Sequence, residues 1–430
     1  MRCQYPGSRE RVYAYNTTFH LFLEQSFGVT RSCRNAVQKT AIKRAGTGQE
    51  EISSSTAGYC KARQRLPLAY LTERFDRSVA ACTALPRPAD LWHGRKVRVV
   101  DATTFNMPDT PYNQKAYPQH YSQKPGCGFP IVQACVAFDL ASAGILRYDT
   151  IHTGEHEVMQ LRRMYDAFEP GSVMMGDRAF AGFFDMAMLQ QQRVDTVVRK
   201  HQCLGKSLVT VKYLAPHDRL CRWLKPAQRP PNITPKLWNS LPAELWVRHV
   251  VVKVTNPTSR TRRIELITTL TDAVAYPARS LADLFQRRWR VELFLDDIKT
   301  VMGMDMLRCK SPAMVNKEIM VHFTAYNLIR LLMGSAAQCH TVSLDRLSFT
   351  ATRDLITIVQ PSVTLASPTL QSRLFVALLW SIAHDKVPHR PGRREPRAVK
   401  RRPKEYARLT IPRHLFHDIP HRKKYHKTLS

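Results

Sequence analysis

The chain opens with a helix-like spacing of apolar residues: Thr18, Leu21, Phe22 and Phe27, then Tyr59, Ala62, Leu66 and Tyr70. This spacing predicts a helical N-terminal module over residues 1 to about 90. A Pro-containing link, Leu85 to Asp90, then leads into the β-branched run Lys96 to Val100, a short buried strand that ends in Asp101. Further strands are predicted at Ile131 to Phe138, Gly144 to Ile151, Ser172 to Met175 and Asp195 to Val198. Helical spacing separates the later ones, over Glu155 to Phe168 and Phe183 to Gln190. Three strands in series followed by helix, strand, helix and strand predicts an α/β sheet flanked by helices, and a ribonuclease-H-like core is one such arrangement.

Residues about 203 to 275 break the alternation. β-type runs at Leu208 to Tyr213, Trp246 to Val254 and Ile264 to Thr269 stand between Pro-rich and polar turns, so an all-β insertion is expected there. Helix resumes at Ser280 and runs past Lys299, and again from Ile319 to Met333. The expected division is therefore residues 1–90, a catalytic domain over 91–333, and a helical and basic region over 334–430. The tail from Asp385 to Ser430 holds 15 Lys or Arg against 4 Asp or Glu and reads as an extended basic arm.

Charge changes the picture more than composition does. Apolar residues make up 44% and charged ones 23%, which suits a folded core. Yet 65 Lys and Arg against 34 Asp and Glu leave a formal charge of +31, which favours a polyanion, and nucleic acid above all, as partner. No apolar stretch approaches the roughly 18 to 20 residues of a membrane span; the longest candidate is Leu374 to Ala383. Met1 to Glu10 carries no apolar run, so no secretory signal is expected and the expected location is the cytoplasm, in association with the nucleoid. The ten cysteines form no CxxC pair and no zinc spacing, and read as small buried or semi-buried residues of a reducing compartment.

Two acids stand at predicted strand ends, Asp101 and, 76 positions on, Asp177. Ligand groups gather at the carboxyl ends of strands in open α/β sheets, so both could face one site; each alone is equally a turn former. The segment Leu284 to Thr300, LFQRRWRVELFLDDIKT, adds a third acid. On one helix Phe285, Arg288, Glu292 and Lys299 fall within a sector of about 60°. Leu284, Val291, Phe294, Leu295 and Ile298 supply a packing stripe. A solvated helix with ordinary Glu and Lys or Arg pairs fits that spacing equally well.

The set Phe285, Arg288, Glu292 and Lys299 resembles the Y-x2-R-x3-E-x6-K signature of the insertion-sequence-four family of DDE transposases, which includes cut-and-paste elements. DATTFNMPDTPYN at 101–113 is similar to the block around the family's first catalytic Asp, and GDRAF at 176–180 to the second. Thr268-Thr269-Leu270, RCKSP at 308–312 and RPGRREPRAVKRRPK at 390–404 extend the resemblance from about Tyr59 to Lys404. One position departs: Phe285 stands where the signature has Tyr, which removes a hydroxyl that family members offer to DNA.

The resemblance implies a DNA transposase that cuts at the element's terminal inverted repeats and joins them to target DNA. Asp101, Asp177 and Glu292 would be catalytic and would hold Mg²⁺ or Mn²⁺, as two ions. Phe285, Arg288, Trp289 and Lys299 would bind DNA. Hard divalent cations suit this donor set, because a few converging carboxylates suffice when waters and phosphate oxygens complete the shell. The implied reaction frees a 3′ hydroxyl, passes through a hairpin, and ends in strand transfer by a homodimer on paired double-stranded ends. Lys61, Arg63, Arg65 and the tail cluster Arg393 to Lys404 are expected to follow phosphates. Trp246 is a strand residue or a partner for a flipped base, and His152 and His156 read as structural. Two alternatives stay open: a nuclease of the same fold that does not join strands, and a decayed transposase that only binds DNA.

Overall fold

A computed structural model of the chain describes residues 12–28, 31–152, 154–253, 263–388 and 409–415. Four helices come first: α1 (Tyr15–Phe27), α2 (Cys33–Gly46), α3 (Ala57–Arg65) and α4 (Leu68–Ala84). Ser32 caps α2 by accepting from the amide of Asn35, satisfying one donor that a helix start leaves open. Phe19, Phe22, Tyr70 and Phe75 carry these helices into the main core.

The centre follows in the order β1 (Val97–Asn106), α5 (Pro111–Ala116), β2 (Ile131–Asp139), β3 (Ile145–His152), α6 (Glu157–Arg162), β4 (Val173–Gly176), α7 (Phe183–Gln191) and β5 (Asp195–Arg199). Next come β6 (Leu208–Ala215), β7 (Asp218–Leu224), α8 (Pro235–Asn239), β8 (Glu244–Lys253) and β9 (Arg263–Thr268). Among the described residues nine strands form one sheet in the order β3-β2-β1-β4-β5-β9-β8-β7-β6. β1, β2 and β3 pair antiparallel, β1 with β4 and β4 with β5 parallel, and the remaining pairs antiparallel. The chain is thus mixed α/β. Segment 203–275 continues the same sheet and is not all β, since α8 starts at Pro235 under a cap from Thr234.

The two faces of β1 separate the core, as the two-residue period of a strand requires. Val97, Val99 and Phe105 join the cluster covered by the N- and C-terminal helices; Val100 joins the one beneath α6 and α7. Asp101 belongs by alternation to the first face. Arg98 ties the middle of the sheet together: buried, it bonds Asp139 at 2.5 Å and also Glu169. Its charge is compensated on both sides, which a buried guanidinium needs.

β1 is longer than the sequence pattern indicates. Its pairing with β2 continues to Asn106 opposite Ile131, so Asp101 lies inside the strand and not beyond its end. The Thr-rich stretch after Asp101 hid this continuation.

The helix expected from Ser280 past Lys299 is broken in the structure. It consists of α9 (Ala278–Arg287), α10 (Arg290–Asp296) and a π-helical turn, Asp297–Val301, separated at Arg288 and Trp289. The π turn closes with Met302 N donating to the Asp297 carbonyl at 2.8 Å, an insertion that shifts the helical register by one residue. α11 (Pro312–Cys339), α12 (Phe349–Leu365) and α13 (Pro368–His384) complete the fold. Among the described residues no helix is long and apolar enough to cross a membrane. The tail cluster Arg393 to Lys404 lies outside the described residues.

Candidate active site

The register of the central strands brings the two Asp residues together. β1 and β4 pair Val97 with Val173 and Val99 with Met175. Two positions further along lie Asp101, still within β1, and Asp177, the residue that directly follows β4. Asp101 Oδ1 accepts from the amide of Ala102 at 2.9 Å. Asp177 follows β4 directly and caps the short turn Arg178–Phe180, its Oδ1 accepting from Ala179 N at 2.7 Å. Gly176 makes this turn possible, because a Cβ there would stand 2.8 Å from the Phe180 ring.

Glu292 arrives from the layer above. α10 buries Val291, Phe294 and Leu295 against the sheet, and Phe294 meets Phe138 at 5.6 Å between ring centroids. Each such apolar side chain contributes about 1.5–3 kcal/mol when buried, which fixes the helix over β1. The opposite side of α10 then faces an open cavity of about 740 Å³ lined by Asp101, Asp177, Arg288, Glu292, Asp296, Lys299 and Asp305, among others. The three acids therefore share one cavity.

Arg288 stands between two of them. Its Nη1 lies 3.5 Å from Asp101 Oδ2 and its Nη2 3.3 Å from Glu292 Oε1. Lys299, brought round by the π turn, lies 3.6 Å from Asp305 Oδ1. Burial pushes the Asp101 carboxyl above its ordinary value, Asp177 and Glu292 add to the rise, and Arg288 opposes it. The donors are hard carboxylate oxygens in an open cavity, one of them destabilised as an anion, and this is the chemistry a divalent cation answers. As placed, the acids form no ready three-ligand cluster among the described residues, because Arg288 occupies the gap.

Sequence reasoning missed a fourth acid. Glu157, in the first turn of α6, is pushed up to about 7 by burial, with the negative charges of Asp177 and Asp101 adding to the shift. α6 packs on β2, β3 and the turn after Asp177, which brings Glu157 to the rear of the site. Its only sequence signal is an acid at a helix start, which is commonplace.

The other expected residues divide. Phe285 is 7% exposed and part of the main core, its ring 5.8 Å from the Arg288 guanidinium carbon, so it packs beneath the polar group rather than lining the cavity. Trp289 is 58% exposed and outside the core. Lys61 and Arg65 are exposed, but Arg63 is buried among Phe22, Cys33 and Cys309 and does not present its charge to an outer surface. Its place on the inner face of α3, against α1 and the core, is the reason. Trp246 is a half-exposed β8 residue opposite Arg222. His152 is exposed, 3.6 Å from Glu155, and His156 precedes α6 at the surface.

Among solved structures, the chain matches a piggyBac transposase synaptic complex with hairpin DNA at 10% identity and a TM-score of 0.43, covering 90% of this chain and 80% of that one. A Mos1 transposase paired-end complex matches at 13% identity and a TM-score of 0.17, over 45% and 61%. The transposase InsG for insertion sequence element IS4 of Escherichia coli (strain K12) is 26% identical over 357 residues, 80% of this chain and 76% of the relative. Residues 92–328, which contain Asp101, Asp177, Glu292 and Lys299, match the family described as the transposase DDE domain. The chain belongs to the DDE transposases, enzymes acting on DNA.

Proposed function

We propose that Asp101, Asp177 and Glu292 are the catalytic acids and jointly hold Mg²⁺ or Mn²⁺, as two ions, for cutting and joining DNA. The observation that carries this is the shared cavity, reached from β1, from the residue that follows its parallel neighbour β4, and from one helix packed over them. Bound there, the ions would supply Lewis-acid activation of the attacking oxygen and charge neutralisation at the leaving oxygen. The chain does the rest. Arg288 and Lys299 bind the terminal phosphates of the element's ends beside the acids, restricting the scissile group to one approach. Trp289, exposed at the break between α9 and α10, stacks on DNA. Phe285 supports Arg288 from below.

The substrate is double-stranded DNA, as terminal inverted repeats and then as target, and a homodimer would hold the two ends at once. A cytoplasmic, nucleoid-associated enzyme accords with the +31 charge. The sheet order β3-β2-β1-β4-β5, antiparallel then parallel, supports a ribonuclease-H-like core within 91–333, with the segment about 203–275 inserted between Asp177 and Glu292. Residues 1–90 form the N-terminal DNA-binding module and 334–430 the C-terminal region.

Labelled element ends incubated with Mg²⁺ and target DNA test the reading. Cleavage followed by covalent joining of the 3′ end is expected, and Asp177→Asn or Glu292→Gln lowers both on the order of 10³-fold or more while leaving DNA binding in place. Cleavage without joining would assign a nuclease, and salt-sensitive binding without cleavage a decayed enzyme.

A further inference from the structure

A second charged cavity, of about 200 Å³, lies where the N-terminal helices meet the loop that follows the π turn. Arg31, Arg63 and Arg308 line it, with Phe22, Gln25 and Glu318. Arg63 is only 8% exposed. Its guanidinium lies 3.8 Å from the centre of the Phe22 ring and donates to Cys33 Sγ and Cys309 Sγ, each at 3.2 Å, while its buried Nε has no partner. Arg31 donates to the Gly303 carbonyl and also leaves a buried Nε without a partner. Among the described residues, none of the three guanidinium groups is ion-paired with a carboxylate.

Among the described residues the surroundings supply one anion, Glu318, which favours the charges on Arg31 and Arg63. Both Glu318 oxygens are taken by the amides of Arg308 and Cys309, at 2.8–3.0 Å. Burial pushes the Cys309 thiol up, which keeps the sulfur neutral, and holds His322 below its ordinary value. Three cations thus face one committed carboxylate. A buried guanidinium without a counter-anion is costly, and planar guanidinium groups match the oxygens of phosphate better than any other side chain does.

We propose that this cavity is a binding site for a tetrahedral oxyanion of the phosphate class, presented as a DNA backbone phosphodiester or as free phosphate. Its position favours contact with the same DNA as the acidic site: Asp305 lines the catalytic cavity, while Met306 and Arg308, on the same short loop, line this one. A strand crossing that loop brings its backbone to the three guanidinium groups.

The test uses the full chain and two variants, Arg308→Gln and Arg31→Gln, which spare the buried Arg63. Thermal unfolding in inorganic phosphate is compared with chloride at matched ionic strength, and duplex affinity is measured against salt. The wild type should gain about 2–3 °C in saturating phosphate, and both variants should lose most of that gain. If the source is the DNA backbone, each variant also flattens the slope of log affinity against log salt by about one. A lost thermal gain with an unchanged slope supports the site with free phosphate as its ligand. The duplex arm rests on the DNA-binding reading and the phosphate arm does not, so a wild type that shows the gain but binds no duplex supports the site and counts against that reading alone. No gain over chloride in the wild type, together with unchanged slopes, overturns the proposal.

Discussion

Arg288 Nη1 lies 3.5 Å from Asp101 Oδ2 although 187 positions separate them in sequence. The same guanidinium reaches Glu292, so in the absence of divalent ions it acts as the counter-charge of two acids. Removing it should strengthen cation binding while weakening catalysis. One unit charge at this range is worth from about 1 kcal/mol in water to about 4 kcal/mol near a protein surface, so Arg288→Gln should raise Mn²⁺ affinity about five-fold or more by calorimetry. End cleavage should fall about 10²-fold, since the phosphate loses its positioning group. Weaker Mn²⁺ binding in the variant would contradict this role.

Glu157 gives the site a pH signature. Its folded-state value of about 7 stands above the ordinary 4.5, so the folded protein keeps this proton where the unfolded chain has lost it. Its contribution to stability is therefore fully present below about pH 4.5, declines as pH rises, and is gone above about 7. Without metal, the melting temperature of Glu157→Gln should fall less than that of the wild type between pH 4.5 and 7.5. Parallel pH profiles for the two proteins would show that Glu157 is not held in this environment.

The π turn that carries Lys299 is pinned from both ends. Arg330 Nη2 donates to Asp297 Oδ2 at 2.6 Å, and Arg353 Nη1 to the Val301 carbonyl at 2.5 Å. Arg330 is buried among Phe294, Tyr326 and Phe349, and burial pushes the Asp297 carboxyl up to about 6. Breaking this pair by Arg330→Met should cost about 3 kcal/mol in urea unfolding, because Asp297 is left without its cation. A change below about 0.5 kcal/mol would place the pair among ordinary surface contacts.

The strands that lead to Asp101 and Asp177 are legible because their apolar runs are short, dense and interrupted by turn residues; Val173–Gly176, running straight into Asp177, is the clearest case. The acid on α10 was legible from spacing only as one of two equal readings, and the family signature decided it. What escaped did so for identifiable reasons. β7 turns Cys221 and Trp223 inward with Arg222 between them, and its charges mask a strand that pairing on both sides stabilises. The break at Arg288 and Trp289 has no Pro or Gly to announce it. Arg63 looked like a surface charge because its burial depends on Phe22 and Cys309, residues of α1 and of the loop before α11.

The central claim is that Asp101, Asp177 and Glu292, and not acidity of the cavity in general, hold the metal. Asp296 and Asp305 line the same cavity but are engaged by Thr300 and Lys299, which makes them the proper controls. Mn²⁺ titration of the full chain, followed by electron paramagnetic resonance, separates the two cases. Single neutralisation of Asp101, Asp177 or Glu292 to the matching amide should weaken binding ten-fold or more, while Asp296→Asn and Asp305→Asn change it less than about two-fold. Equal losses in all five variants, or wild-type binding in any of the first three, would contradict the assignment.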